Sequence, residues 1–280
     1  MLIKYPVLKD SNIRDYLLSF YASKSYIYKI FFEKRVYVSN IKVNEAYNVK
    51  KGDIIYIDEE VEVKYKPLDK KLDILYEDDH ILIINKPKNI IIHDDTNSLC
   101  NMVAAYYKKK NLDLNIYFAH RLDYDTTGVI LFCKDHITLS YFDHFFETHE
   151  FKREYRLLVN GILLKKEGQI NKPIAKNRHV NGKYLVYKTG KNAITNYKVL
   201  KEYDKYSYLS ILLKTGRTHQ IRVHMSYLSH PLLGDKLYGD TSNICNRVML
   251  HSYKITFINP WNGKEESLVA KLPDDFNALL

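Results

Sequence analysis

Two dense polar stretches in this chain stand at the ends of apolar runs. The first is His120-Arg121-Leu122-Asp123-Tyr124-Asp125-Thr126-Thr127-Gly128, entered from Tyr117-Phe118-Ala119 and followed by the apolar run 129–133. Such a run reads as a buried strand, so His120, Arg121, Asp123 and Asp125 sit in a turn at its mouth. A rigid strand holds the turn while the turn stays open to a ligand. The same residues also suit a plain Asx-type turn with a local Arg–Asp pair. The second stretch is Thr215-Gly216-Arg217-Thr218-His219-Gln220-Ile221-Arg222-Val223-His224. His219 and Arg222 lie three apart, on one face near a helix start. An inward-facing arginine there is costly unless an acid meets it. Asp123 and Asp125 would also serve a metal-dependent nuclease. That use lacks a third carboxylate or a His pair at ligand spacing.

The whole chain must position these groups. Its 280 residues suffice for one large domain, or one domain with a small module. At 46% hydrophobic it can bury a core and is not disordered. The net charge of +10 favours anionic partners, nucleic acid first. Tyrosine is abundant, at 25 residues, and suits both core packing and base stacking. Cys100, Cys133 and Cys245 are scattered, without a CxxC pair, which argues against a disulfide framework or zinc site and fits a reducing cytosol. Neither a signal peptide nor a membrane-length apolar run is expected, so a cytoplasmic location is.

Taken in order, residues 1–65 read as a small module. Ser11 or Asn12 caps a helix carrying Ile13, Tyr16, Leu17, Phe20 and Tyr21, and a second helix starts near Ser25. Short strands over 36–38 and 41–43 flank the turn Ser39-Asn40, and Gly52-Asp53 leads into a strand over 54–57. Residues 1–51 hold ten Lys/Arg against four Asp/Glu, most of the chain's charge excess. A polar connection containing Pro67 spans 66–71. The second domain, 72–280, opens with two strands around an acidic turn, Glu77-Asp78-Asp79. Ser98 caps a helix reaching Lys110, and an aromatic-rich helix covers 136–149. His144 and His149 are five apart and share no helical face, so they read as surface or packing residues. A strand over 152–160 ends at Gly161, and a basic loop or hairpin over 172–191 holds six basic residues and no acid. Strands over 193–200 and 206–213 lead to the second polar stretch, where Gly216 turns the chain and Thr218 caps a helix. Residues 251–260 alternate as an edge strand, and a short helix closes the chain.

The module resembles the S-four-type RNA-binding domain. Ser23-Lys24-Ser25-Tyr26-Ile27, Arg35-Val36-Tyr37-Val38 and Gly52-Asp53 carry the likeness. Lys24 stands where that family usually has Arg, and Ser39-Asn40 replaces its Asn-Gly turn. The resemblance implies RNA contacts at Lys24 and Arg35.

The second domain resembles the RluA-type pseudouridine synthases through three ordered motifs. These are His120-Arg121-Leu122-Asp123 with Thr127-Gly128, Lys152-Arg153-Glu154-Tyr155 with Gly161, and the 215–224 stretch continued by Pro231, Gly234-Asp235 and Tyr238-Gly239. Tyr124 and Thr127 depart from the Arg and Ser often found there. The resemblance implies an α+β fold, with a mixed, largely antiparallel central sheet, flanking helices and an active cleft across its middle, plus the small N-terminal αβ module. It implies a reaction that detaches uracil from ribose, rotates it and rejoins it through C5, with no cofactor and no metal. Asp123 is then the catalytic position, as nucleophile on sugar or base, or as a base on the sugar. Arg222 pairs with it and keeps it ionised against burial. Tyr155 packs on the target uracil and can help remove the C5 proton. Arg121 fills the space left by the flipped base. His120 is assigned to the RNA-contacting turn, chiefly as a support, as are Thr127 and His219. Arg217, Lys176 and Arg178 are expected on phosphates. The expected partner is RNA, ribosomal before transfer RNA, with no membrane and no obligate protein partner. The competing reading is a catalytically silent RNA-binding or ribosome-assembly protein, which would have no need of Asp123, Tyr155 and Arg222 together.

Overall fold

The computed structural model describes residues 1–280 except Val63, Asp95 and His149. The N-terminal sheet is built from β1 (Leu2–Pro6), β3 (Val36–Val38), β4 (Ile41–Lys42) and β6 (Ile54–Asp58), in the order β1-β6-β3-β4. Between β1 and β3 lie β2 (Ser11–Asn12), α1 (Ile13–Leu18) and α2 (Lys24–Phe32), and β5 (Asn48–Val49) pairs with β2. Asn12 caps α1 by accepting the Arg14 and Asp15 N–H groups, and Ser23 caps α2 through Tyr26 N–H. Ser39 and Asn40 both take positive φ, 49° and 64°, the conformation of a tight primed hairpin turn. Alternation along β6 sends Ile55 and Ile57 onto Ile13, Leu17, Ile27 and Ile30.

The large sheet has ten strands. These include β7 (Ile74–Glu77), β8 (Ile81–Lys86), β9 (Tyr117–Phe118), β10 (Thr127–Cys133), β11 (Lys152–Asn160) and β12 (Glu167–Asn171). After a separate hairpin of β13 (Ile174–Lys176) and β14 (Tyr184–Val186) come β15 (Ile194–Glu202), β16 (Tyr206–Leu213), β17 (Leu250–Ile258) and β18 (Glu265–Val269). The main order is β12-β15-β16-β11-β17-β10-β8-β7, with β9 on β10 and β18 on β17. Every pairing in it is antiparallel except β10 with β17. The helices α3 (Leu99–Lys109), α4 (His136–Glu147), α5 (Gln220–Tyr227) and α6 (Asp274–Asn277) flank it. This is the expected α+β architecture.

The core lies on both faces, because β8 is apolar without a break over 81–84 and β10 over 129–133. One face stacks Leu82, Ile84, Ile130 and Phe132 on α3; the other sets Ile83, Val129 and Leu131 beside α4. Ser98 and Asn101 form a reciprocal capping box at the start of α3, and Asp135 caps α4. Helix α4 ends at Glu147, so the part of the expected helix at His149 lies outside the described residues.

Two expectations are corrected. Residues 251–260 do not form an edge. Strand β17 runs inside the sheet, with β11 on one side and β10 then β18 on the other, and His251 and Ser252 are fully buried. Alternation reports which faces are wet; it carries no information on neighbours in the hydrogen-bonding direction. Thr218 does not cap α5 either. The cap position is His219, in left-handed conformation with φ 53°, without a side-chain cap bond. Gln220 serves the turn instead, its Oε1 accepting the Thr215 hydroxyl and the Arg217 N–H.

The module is seated on the large sheet. Trp261 stacks on Phe20, with ring centroids 4.5 Å apart, and lies 5.0 Å from Tyr5. Tyr21 stacks on His144 at 3.5 Å and Tyr26 on His136 at 4.2 Å. His144 is thus a packing residue. The connection is held at both ends: Asn115 bonds Glu60 and Glu62, and Asn101 bonds Lys66 and Leu68. Within the described residues it is tied to the large domain rather than left loose.

Candidate active site

The 120–126 loop starts where β9 leaves the sheet and returns the chain into β10. Gly128 sits at φ 107°, and a Cβ there would lie 2.1 Å from the Ser252 carbonyl oxygen. Only glycine lets β10 approach β17 this closely. Below the loop, the Lys86 ammonium is buried and donates to the carbonyls of Pro87, Tyr124 and Thr126, at 3.1, 3.0 and 2.8 Å. Burial pushes its pKa down to about 7, against the pull of Asp123 and Asp125. From the side, Arg247 donates to the Asp125 carbonyl while its fork grips Asp275. The loop backbone is held from two directions, which fixes where Asp123 points.

Asp123 Oδ2 accepts from Arg222 Nη1 at 3.0 Å, across 99 residues of sequence. Among the described residues Oδ1 receives no donor, and the side chain is 32% exposed, so one oxygen stays open to a ligand. Arg222 lies on the first turn of α5, and its other edge grips Asp235 in a fork, Nε to Oδ2 at 2.7 Å and Nη2 to Oδ1 at 2.9 Å. Asp235 is fully buried. Burial opposes the charge on Arg222, but the hydrogen bonds and charges of Asp235 and Asp123 outweigh it, and its pKa rises. Here is the acid that an inward-facing arginine requires. Two carboxylates share one guanidinium, so Arg222 cannot swing away from Asp123 without breaking the fork to Asp235.

His219 comes to 3.7 Å of Asp123 Oδ2 through Nε2. Its Nδ1 lies 2.9 Å from the Tyr238 hydroxyl, whose oxygen already accepts the Tyr184 N–H. With no other acceptor for that hydroxyl among the described residues, its proton goes to Nδ1. The Nε2–H of His219 then faces the carboxylate. Burial lowers the His219 pKa, while Asp123 pulls it back up.

Asp123, Tyr155 and Arg121 border one cleft of about 970 Å³. Tyr155 sits in β11, paired with Ile211 of β16 and Ser252 of β17, and is 5% exposed. Burial raises its pKa and keeps the phenol protonated, against the nearby charge of Arg153. The cleft therefore sets an open carboxylate oxygen, an aromatic face and exposed cations around one space. That combination can hold a flat polar ring bearing an anionic backbone.

Residues 80–227 match the model of a protein family described as RNA pseudouridylate synthase. The chain belongs to that family. It is 37% identical to the uncharacterized RNA pseudouridine synthase YhcT of Bacillus subtilis, over 90% of this chain and 85% of the relative. It is 32% identical to ribosomal large subunit pseudouridine synthase C of Buchnera aphidicola, over 97% and 93%. Against ribosomal large subunit pseudouridine synthase D of Haemophilus ducreyi the identity is 34%, over 88% and 82%. The structure of human RNA pseudouridylate synthase domain containing 1 shares the fold at 24% identity, with a TM-score of 0.63 over 74% of this chain and 86% of that one. The enzyme is an RluA-type RNA pseudouridine synthase.

The residues singled out from the synthase's sequence fall into three groups. Asp123, Tyr155 and Arg222 come together, with Arg121 and Arg217 exposed along the cleft and the Arg217 Nε bonded to the Asn192 carbonyl. Lys176 and Arg178 are exposed on or beside the β13–β14 hairpin. That hairpin packs on α5 through Ile174, Val223 and Tyr238, and its Tyr184 ring lies 5.7 Å from His219. Lys24 is exposed at the start of α2 in the module, away from the cleft lining. Two assignments change. Arg35 faces Glu33 at 3.0 Å, Glu60 at 3.4 Å and Glu59 at 3.9 Å, and its side chain is only 12% exposed. It closes an acidic cluster inside the module and is not a free phosphate ligand. His120 is buried, its Nε2 accepting the Leu131 N–H at 3.2 Å, and burial, with help from Arg153, drives its pKa down to about 3. It supports the turn as a neutral ring and cannot meet a phosphate as a cation.

Sequence reasoning did not single out Asp235, Lys86 or Arg153 as site residues of the synthase. Asp235 stood inside a quoted motif, and the need of Arg222 for an acid was the signal that could have found it. Lys86 carried a weaker one, a lysine closing a strand whose first four residues are apolar. For Arg153 the signal was its place two residues before Tyr155 in an expected strand, which sets it on the Tyr155 face and Lys152 on the other.

Proposed function

We propose that this synthase converts uridine to pseudouridine in large-subunit ribosomal RNA, with Asp123 as the group that acts on the flipped nucleotide. The reading rests on one observation above all. Among the described residues, one Asp123 carboxylate oxygen has no donor and borders the cleft while Arg222, anchored by Asp235, holds the other. The bond from ribose C1′ to N1 breaks, a bond from C1′ to C5 forms, N1 gains a proton and C5 loses one. The exchange is internal to the nucleotide and is redox-neutral. The open oxygen attacks the sugar or base, or removes a sugar proton. Arg222 stabilises the carboxylate in the free enzyme and compensates as its charge changes along the reaction. Tyr155 offers a neutral aromatic face to the uracil, worth about 1–3 kcal/mol of stacking. This is comparable with the few kcal/mol needed to draw the base from its stack. Arg121, exposed beside the loop, takes the vacated space. The basic N-terminal module, with Lys24 on its surface, acts as an S-four-type anchor on RNA, and Lys176, Arg178 and Arg217 follow the phosphates. The ribosomal substrate is favoured by the relatives named for the large ribosomal subunit. The free cysteines suit work in the cytoplasm.

Tritium release from RNA labelled at uracil C5 tests the reading. Unmodified ribosomal and transfer RNA are offered to the wild type and to Asp123→Asn, whose folding is checked by thermal melting. Release from ribosomal RNA by the wild type, abolished in a folded Asp123→Asn, is expected. Release from transfer RNA alone would replace the substrate. Binding without release from either RNA would turn the assignment to a silent RNA-binding protein.

A further inference from the structure

Among the described residues, Arg153 is a buried arginine without a counter-ion. It lies in β11 two residues before Tyr155, is 7% exposed, and lines the same cleft as Asp123. No carboxylate among the described residues pairs with it, and its Nε donates to nothing although it is fully enclosed. Around it are groups that cannot supply an anion. The Phe146 ring faces the guanidinium at 5.0 Å. Gly216 lies against it so closely that a Cβ there would come 2.7 Å from Nη1. Tyr155 is a protonated phenol, and His120 is a neutral ring whose Nδ1 is itself an enclosed donor without an acceptor. Burial lowers the Arg153 pKa, the mark of a charge held at a cost.

Leaving a charge buried and unpaired is among the more destabilising things a fold can retain. The Phe146 face offsets part of that through a desolvated cation–π contact. The rest has no partner among the described residues. We propose that Arg153 is a phosphate-binding residue of the synthase, taking a phosphodiester of the RNA strand beside the flipped nucleotide, and that Gly216 is glycine so that this guanidinium can face the cleft. The inference rests on the RNA-modifying reading above. A planar guanidinium binds two phosphate oxygens at once, which a uracil carbonyl cannot reproduce. Its position two residues from Tyr155 puts the anchored phosphate next to the nucleotide whose base lies on that ring.

The site makes two demands that pull apart in experiment. Replacing Arg153 by methionine removes an unpaired buried charge, so the free protein should melt at the same temperature or higher. RNA binding should weaken at the same time. The probe is a uridine homopolymer, with affinity followed across a salt series. A lost charge-assisted contact lowers affinity about 10- to 100-fold. It also reduces the slope of log affinity against log salt by about 0.7 for a single strand. Arg153→Lys keeps the charge and should keep the wild-type slope while losing part of the affinity. On RNA that the wild type isomerises, Arg153→Met should raise KM more than it lowers kcat. An unchanged slope and affinity in Arg153→Met, with a lower melting temperature, would overturn the proposal and make Arg153 a packing residue. Because homopolymer binding does not require turnover, a wild type that isomerises nothing would defeat the functional reading separately.

Discussion

At the scale of single residues, the site depends on Asp235, which never faces the cleft. The Arg222 guanidinium donates two bonds to it and one to Asp123. Asp235→Asn should therefore do more than remove a distant hydrogen bond. It leaves a guanidinium that is largely buried with one carboxylate where it had two, and turns one accepting oxygen into a donor facing it. Breaking one partner of such a buried pair costs about 3–5 kcal/mol, measurable by denaturant unfolding. Turnover should fall as well, since Arg222 is then free to leave Asp123. An unchanged unfolding midpoint would show that the fork contributes nothing. The requirement behind this pair was legible, because an arginine on the inner face of a helix start needs an acid. Which acid was not legible. Asp123 lies 99 residues away and Asp235 thirteen, and only folding brings both to one guanidinium.

Among elements, the deciding feature is the parallel meeting of β10 and β17. Thr127 and Gly128 register against His251 and Ser252, and the Asp123 loop springs from that junction. Gly128→Ala would place a methyl 2.1 Å from the Ser252 carbonyl oxygen while forcing alanine to φ 107°. Such a clash is with backbone, which cannot rotate away. The expected loss is at least about 3 kcal/mol, seen as a lowered melting temperature or insoluble protein. A stable, active Gly128→Ala would mean that the two strands stand further apart. The strand over 206–213 and the helix from Ser98 were readable from alternation and capping chemistry. The interior place of β17 was not, because pairing partners leave no trace in a strand's own pattern. The first strand, β1, escaped notice for a related reason. It is five residues long, and Tyr5 and Ile3 gain their burial only beneath α1, α2 and the seam with Trp261.

Taken whole, the molecule buries His120 and His251 as neutral rings. Burial holds His120 at about 3 and His251 at about 4, both below the usual 6.5. His251 is fixed between the Thr127 hydroxyl and the Ala270 carbonyl. The unfolded chain binds these protons more readily than the folded one between the two sets of values. Stability is therefore complete above about pH 6.5, falls as pH drops toward 4 and 3, and levels below. Denaturant midpoints followed across that range should show the fall, and His251→Gln should reduce its steepness between pH 6.5 and 4. A flat profile in the wild type would mean that the rings are open to water in the native state. The seam between module and large sheet is also a whole-molecule property. Phe20, Tyr21 and Tyr26 read as members of amphipathic helices, yet they close on Trp261, His144 and His136.

By itself the sequence determined the local grammar of this protein. Caps at Asn12 and Ser98, turns at Ser39-Asn40 and Gly52, apolar strands and three spaced motifs all follow from residue chemistry acting within a few positions. The motif spacing also carried the family, and with it the expectation of Asp123, Tyr155 and Arg222 in one site. Tertiary structure alone decided the rest. It set the interior place of β17, the docking of the N-terminal module, the fork of Arg222 between two carboxylates, and which cations are committed. Arg35 and Arg153 look alike in sequence, yet one lies among three glutamates and the other pairs with no carboxylate among the described residues. The physical reason is that burial and counter-charge are properties of the space around a group, and that space is assembled from residues far apart in the chain.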